Sequence, residues 1–335
     1  MGEFVGIDPR GALELIRRME AGEALLGRTR PRLDAAIDEA GQDWAGHQGS
    51  TALHRALGFF HESRRELKWR IDTIEQLVPV RERGLLTATF PFDGEAEARR
   101  SAEETADTIR TALETPPTDD DSPTNDRARA DDGSSADDGE GGTAARVGRV
   151  LSDVRGEAGD PAYAAALLAA LGPHTLVRLL EAVPDDQEDA PAGAPAGTLA
   201  RAFASAERTG RLGEEWQAFA ETAPPHVLTS LIAHAGQSGP FLNRAALTLL
   251  DRPDPAWDPH GLVTAYAANP LAFQQFLAEQ PAAAETLLSI AAGDPALAGA
   301  LHEALRPEVG ADGLRQRAWS NVLRGVGATL RVEDG

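Results

Sequence analysis

Between residues 53 and 78 the apolar positions fall four and three apart in alternation: Leu53, Leu57, Phe60, then Arg64, then Leu67, Ile71, Ile74 and Val78. That spacing is the seam of a helix packed lengthwise on a partner, with Arg64 as its one polar member. A matching stripe precedes it. Ala12, Ile16, Met19, Leu26, Leu33, Ile37 and Ala40 keep nearly the same spacing, and Asp8 followed by Pro9 supplies an N-cap and a first-turn proline. The two stripes predict helices of about 28 residues, each about 42 Å long at about 1.5 Å per residue. Equal lengths favour an antiparallel hairpin turning through "GQDWAGHQGS", residues 41–50. Its glycines let the backbone reverse, and Trp44 would cover the end of the seam. Pro31, inside the first helix, predicts a kink or short break. A third, polar helix is expected over residues 94–114, after the short extended stretch "LLTATFPF".

Beyond residue 146 the pattern changes. Apolar clusters recur about every 10 to 14 residues, separated by glycine and proline, with few β-branched runs and no sustained alternation. Strands have little to build from, so this half is expected to be all-α. Asp160-Pro161, Asn269-Pro270 and Asp294-Pro295 read as helix starts, a capping side chain followed by a first-turn proline. The stretches opening at Asp160 and Asn269 share the order cap, proline, short helix, proline, short helix, which suggests helix pairs stacked as in a solenoid. Residues 115–146 hold Pro, Asp, Ser and Gly but no large apolar side chain. Such a stretch cannot bury enough surface to offset its ordering entropy. The expected fold is therefore all-α: a helical hairpin with a third helix over 1–114, a disordered acidic linker over 115–146, and a multi-helix, solenoid-like domain over 147–332.

Composition narrows the partners. The net charge is −21, so the summed field repels polyphosphate and nucleic acid is not an expected partner. Cysteine is absent, which excludes disulfides, Cys-ligated zinc and thiol catalysis. The N-terminal stretch lacks a basic region followed by an apolar one, and no segment reaches the roughly 18 to 20 uncharged apolar residues of a membrane helix. Neither a leader nor membrane insertion is expected.

Catalytic spellings are missing too. The sole lysine, Lys68, lies in "ELKWR", so no phosphate-cradling loop ends in Lys-Ser or Lys-Thr. "GQSGP" at 236–240 places its second glycine one residue too early for a nucleophile elbow, and Ser238 reads as a turn residue. His47, His54 and His61 are seven residues apart, about 10.5 Å on a helix, too far to share one metal ion. His174, His226, His234, His260 and His302 stand at helix starts or on apolar faces, where capping and partial burial are the ordinary roles. The run Asp119-Asp120-Asp121 lacks the spacing of a calcium loop. No catalytic, metal or cofactor residues are expected, and the chain is not expected to be an enzyme.

Trp44-Ala45-Gly46, standing between two long amphipathic helices, resembles the turn of the Trp-x-Gly (WXG, ESAT-like) helical-hairpin family of type VII secretion substrates. The likeness covers about the first quarter of the chain. It implies a dimeric or partner-bound helical bundle exported without a cleaved leader. It also implies Trp44 and Gly46 as the turn motif, with Leu53, Leu57, Phe60, Leu67, Ile71 and Ile74 as the helix seam or partner face. Three departures from the family's pattern are Gln48, where a small residue is usual, Pro31 in the first helix, and the lack of Tyr-x-x-x-Asp/Glu after the second. Both tyrosines, Tyr163 and Tyr266, come later.

The second half is similar to the alanine-rich helical regions of large actinobacterial proteins that join such hairpins to C-terminal toxin domains. The phrases are "LGPHTLVRLLEAV", "SAERTGRLGEEWQAF" and "LVTAYAANPLAFQQFLAEQP", and no toxin domain is expected after "WSNVLRGVGATLRVEDG". The expected function is a non-enzymatic, secretion-associated interaction protein that binds a protein partner or a second copy through its hairpin. Two other readings stay open: a cytoplasmic helical scaffold or adaptor, and a toxin-type effector whose active site shows no motif.

Overall fold

The computed structural model describes residues 4–40, 44–77, 86–114, 138–182, 195–252 and 257–333. Among the described residues the chain is all-α apart from one short strand pair. It divides into two compact units, one formed by Met1–Ser101 with Gly159–Tyr163, the other by Ala102–Ala158 with Ala164–Gly335. The sequence placed the division in 115–146. Residues 115–137 of that stretch lie outside the described residues, and from Asp138 onward it is helical.

The elements in order are β1 (Phe4–Ile7), α1 (Pro9–Ala40), α2 (Trp44–Leu77), β2 (Leu86–Thr89) and α3 (Glu95–Glu114). Then come α4 (Asp138–Asp153), α5 (Pro161–Ala182), α6 (Pro195–Arg208), a single 3-10 turn (Glu214–Trp216), α7 (Phe219–Thr222), α8 (Pro225–His234) and α9 (Gly239–Asp251). The last are α10 (His260–Ala268), α11 (Pro270–Glu279), α12 (Pro281–Ile290), α13 (Pro295–Ala304) and α14 (Asp312–Glu333). Seven helices, α1, α5, α6, α8, α11, α12 and α13, begin on proline. A first-turn N–H has no intrahelical acceptor, so proline loses nothing there and its fixed φ suits the helix. Asn269 and Asp294 act as the expected caps, accepting from the N–H of Ala272 at 3.3 Å and of Ala296 at 2.8 Å.

In the first unit α1 and α2 form the antiparallel hairpin. As the partner on α1 moves back from Asp34 to Arg30 to Glu23 to Glu20, the partner on α2 advances from Ser50 to His54 to His61 to Arg64. The steps are equal on both sides, as two straight helices running oppositely require. Helix α1 passes through Pro31 unbroken, contrary to the expected break. The ring is exposed, and a Cβ at Gly27, whose carbonyl loses its usual donor to the proline, would meet nothing within 4 Å. The extended stretch after α2 is strand β2, and it pairs antiparallel with β1, Phe4 opposite Thr89 and Ile7 opposite Leu86. The sequence reading held no partner for it, because four residues of β1 are too few to carry a period.

In the second unit α6, α8, α10 and α13 pack in succession, while α9, α11 and α14 form a second succession. Consecutive helices such as α8 and α9, or α10 and α11, supply one member to each. The helices thus stack in pairs, but not in the pairs that the cap-and-proline order suggested: α11 and α12, read as one pair, both pack on α9 and α14. Helix α5 is long and apolar enough to cross a membrane by length and composition, which corrects the expectation that no segment is. It breaks at Gly172, where φ is 75°, just before Pro173, and Leu167, Leu168, Leu176 and Leu179 are fully buried in the fold. The guanidinium of Arg110 donates to the carbonyl of Ala170, which the break deprives of a helical donor.

Candidate interaction surface

The seam residues named from the sequence are withdrawn from solvent to different degrees. Ile71 and Ile74 are buried, and Leu53, Leu57, Phe60 and Leu67 are half-buried. A Cβ placed on Gly22 would lie 3.8 Å from the Phe60 ring, and one on Gly49 would lie 3.9 Å from Leu33, so this face lies against α1. Arg64, the seam's polar member, reaches Glu23 at 3.0 Å and Glu20 at 3.6 Å, and Glu23 also meets His61 at 3.4 Å. A half-buried arginine in a helix seam is tolerable when carboxylates stand opposite it, and here two do. Trp44 and Gly46 belong to the first turn of α2 rather than to the connection. Their side chains, that of Val78 and residues 41–43 lie outside the described residues.

The apolar surface left open is elsewhere. Phe59 is 65% exposed and Leu25 is 59% exposed. Each stands one residue before a seam position, Phe60 and Leu26, and is thus turned by about 100° from the seam. Because the two helices run in opposite directions, the same turn carries both side chains to one side of the hairpin. The register places them at one level, between the Arg30–His54 pair and the Glu23–His61 pair. The Phe59 ring meets Phe60 edge-on at 6.2 Å. The available signal was the doublet itself: two adjacent phenylalanines cannot both enter one seam. Arg28, Arg32 and Arg55 are exposed on the side of this pair nearer the hairpin turn, and they form no ion pair among the described residues.

Three polar clusters have the residue types of chemistry and the geometry of structure. His260 Nδ1 lies 3.1 Å from the Asp294 carboxylate, with Thr264 Oγ1 3.5 Å from its Nε2. Asp294 is already the cap of α13, so the pair ties α10 to the start of α13, and 3.5 Å is too long for an activated hydroxyl. Ser238 caps α9 through the N–H of Phe241 at 3.2 Å and donates its hydroxyl to Glu207 at 2.6 Å. Its φ of −67° is relaxed, unlike a nucleophile elbow.

Asp160 is the most buried of the three. Its carboxylate accepts from the Trp69 indole at 3.0 Å, the Thr73 hydroxyl at 3.0 Å, and the N–H groups of Ala162 and Tyr163 at 2.9 and 3.0 Å. Burial pushes this carboxyl above its ordinary range, while the four donors pull the other way. Rings close the surroundings: Trp69 on Phe90 at 5.5 Å, and Phe92 stacked on Tyr163 at 5.5 Å. A saturated carboxylate sealed from water anchors helices; it does not turn over substrate. No group of three or more metal-ligating side chains occurs among the described residues. Comparison with family models, curated proteins and solved structures gives no match.

Proposed function

We propose that the N-terminal hairpin is a docking element, and that the protein is a secretion-associated interaction protein of the Trp-x-Gly kind. The observation that carries the reading is the pairing of Leu25 and Phe59 at one level on one side of a hairpin whose seam is already filled. Single exposed apolar residues are ordinary; two large ones abreast on long helices suit an apolar partner helix. The partner is another protein or a second copy of this chain. Export by a leaderless, type VII route is part of the proposal and rests on Trp44-Ala45-Gly46.

The test is fractionation of native-host cultures with and without the type VII secretion ATPase, for the wild-type chain and for Phe59→Glu. The proposal expects the wild-type chain in the medium only when the ATPase is present, and reduced export of the variant. Retention in the cells of both strains would overturn export. Equal export of wild type and variant would overturn the role of the Leu25–Phe59 surface.

A further inference from the structure

The outward face of α14 combines exposed apolar side chains with arginines that line an open cleft. Its inner face is committed: Ala318 and Val322 are buried, Asn321 donates to the carbonyls of Leu277 at 2.9 Å and Ala278 at 3.4 Å, and Gly325 sits against Leu288. Outside, Trp319 is 52% exposed and Leu323 is 57% exposed, one turn apart on the same flank. On the opposite flank Gln316, Arg317, Ser320, Asn321 and Arg324 line an open cleft of about 650 Å³ beside Ala278 and the start of α12. No acidic side chain lines it.

The charge is local and opposite to that of the chain. The protein carries 53 acidic against 32 basic residues, yet the α14 sequence holds Arg315, Arg317, Arg324 and Arg331 against only Asp312 and Glu333. Arg315 is engaged by Asp312 and by the Pro307 carbonyl at 3.0 Å. Arg317 and Arg324 form no ion pair among the described residues, and they stand seven positions apart, about 10.5 Å along the helix axis. An arginine fork binds a carboxylate through two parallel hydrogen bonds, which lysine cannot match.

We infer that α14 is a docking surface for an acidic amphipathic segment of another protein, whose carboxylates meet Arg317 and Arg324 while an apolar side chain covers Trp319 and Leu323. The spacing fits a partner helix with acids seven residues apart, lying alongside α14. An anionic membrane is disfavoured because a chain of net charge −21 is repelled by such a surface as a whole. A short peptide avoids most of that repulsion, since charges beyond about 8 Å are screened at physiological salt. This surface is independent of the hairpin proposal, and neither stands on the other.

The test uses the full chain and a fluorescein-labelled 15-residue helical peptide with glutamates seven apart beside a leucine stripe, followed by anisotropy. The expected result is saturable binding at 50 mM salt, weakened at least tenfold by the double substitution Arg317→Gln, Arg324→Gln and separately by Leu323→Glu. The same peptide with lysine in place of glutamate should not bind. All substituted residues are solvent-exposed, and unchanged circular dichroism melting shows that the fold is kept. The inference is overturned by absence of binding, by equal binding of the lysine peptide, or by indifference to the arginine substitutions. It is equally overturned if phosphatidylserine vesicles bind in an Arg317- and Arg324-dependent manner while the peptide does not. A concentration-dependent dimer abolished by Leu323→Glu, without peptide binding, would assign the face to a second copy instead.

Discussion

The indole N–H of Trp69 donates to the carboxylate of Asp160 across 91 positions of sequence, at 3.0 Å and without access to water. The same carboxylate holds Thr73, one turn further along α2, and caps α5 through Ala162 and Tyr163. One side chain thus caps the first turn at Ala162 and Tyr163 and binds the end of the hairpin's second helix, all within the first unit. Asp160→Ala removes the cap and strands two buried donors. A cap is worth about 1 kcal/mol and each stranded buried donor about 1 to 3 kcal/mol, so a loss of roughly 3 to 7 kcal/mol is expected in denaturant unfolding. A loss below about 1 kcal/mol would show that the cluster does not hold the fold.

Asp160 also gives a pH dependence of known sign. Burial raises the folded-state carboxyl above its ordinary value, so the folded protein binds this proton more tightly than the unfolded chain. Its contribution to stability therefore increases as pH falls from above the raised value towards the ordinary carboxylate range, and it is lost as pH rises through the raised value. Asparagine keeps a capping oxygen but does not titrate. The difference in unfolding free energy between wild type and Asp160→Asn, measured across mildly acidic pH, should shift in favour of wild type on acidification. A pH-independent difference would contradict the direction.

Gly310 has a φ of 66°, and a Cβ there would fall 2.2 Å from Oε1 of Gln274. Gln274 cannot move aside, because it is fully buried and its amide donates to the carbonyls of Ala304 at 2.7 Å and Val309 at 2.8 Å. Gly310→Ala should therefore cost more than the roughly 1 to 2 kcal/mol of a left-handed alanine. In Gln274→Ala the clash is gone, so the added cost of Gly310→Ala should shrink to that backbone cost. Equal costs in both backgrounds would mean that the contact is not felt.

Pro31 removes an interior hydrogen bond from α1 without breaking the helix. Pro31→Ala should stabilise the first unit by roughly 1 to 3 kcal/mol, since an interior proline costs about 3 kcal/mol relative to alanine and the exposed site lets water recover part of that. A lowered melting temperature would show that the proline shapes the helix for its packing against α2.

Phe59 and Ile74 share α2 but not its energetics. Phe59→Ser should change stability by no more than about 0.5 kcal/mol, because the ring is 65% exposed. Ile74→Ala, at a fully buried position, should cost about 2 to 5 kcal/mol. Parallel thermal melts separate the two, and a large loss for Phe59→Ser would place that ring inside the fold rather than on a surface for partners.

The amino-acid sequence alone determined the seam from Leu53 to Ile74, its partner stripe on α1, the third helix, and helix starts at Pro161, Pro270 and Pro295. These are local properties. A repeat of 3.5 residues or a cap followed by proline acts within one or two turns, so its consequence is written where it stands. Tertiary structure decided the pairing of β1 with β2, the convergence of Trp69 and Thr73 on Asp160, and the fit of Gln274 against Gly310. Each depends on chain segments far apart in sequence being brought together or on one helix being set against another, and neither residue of such a pair carries a local mark of its partner.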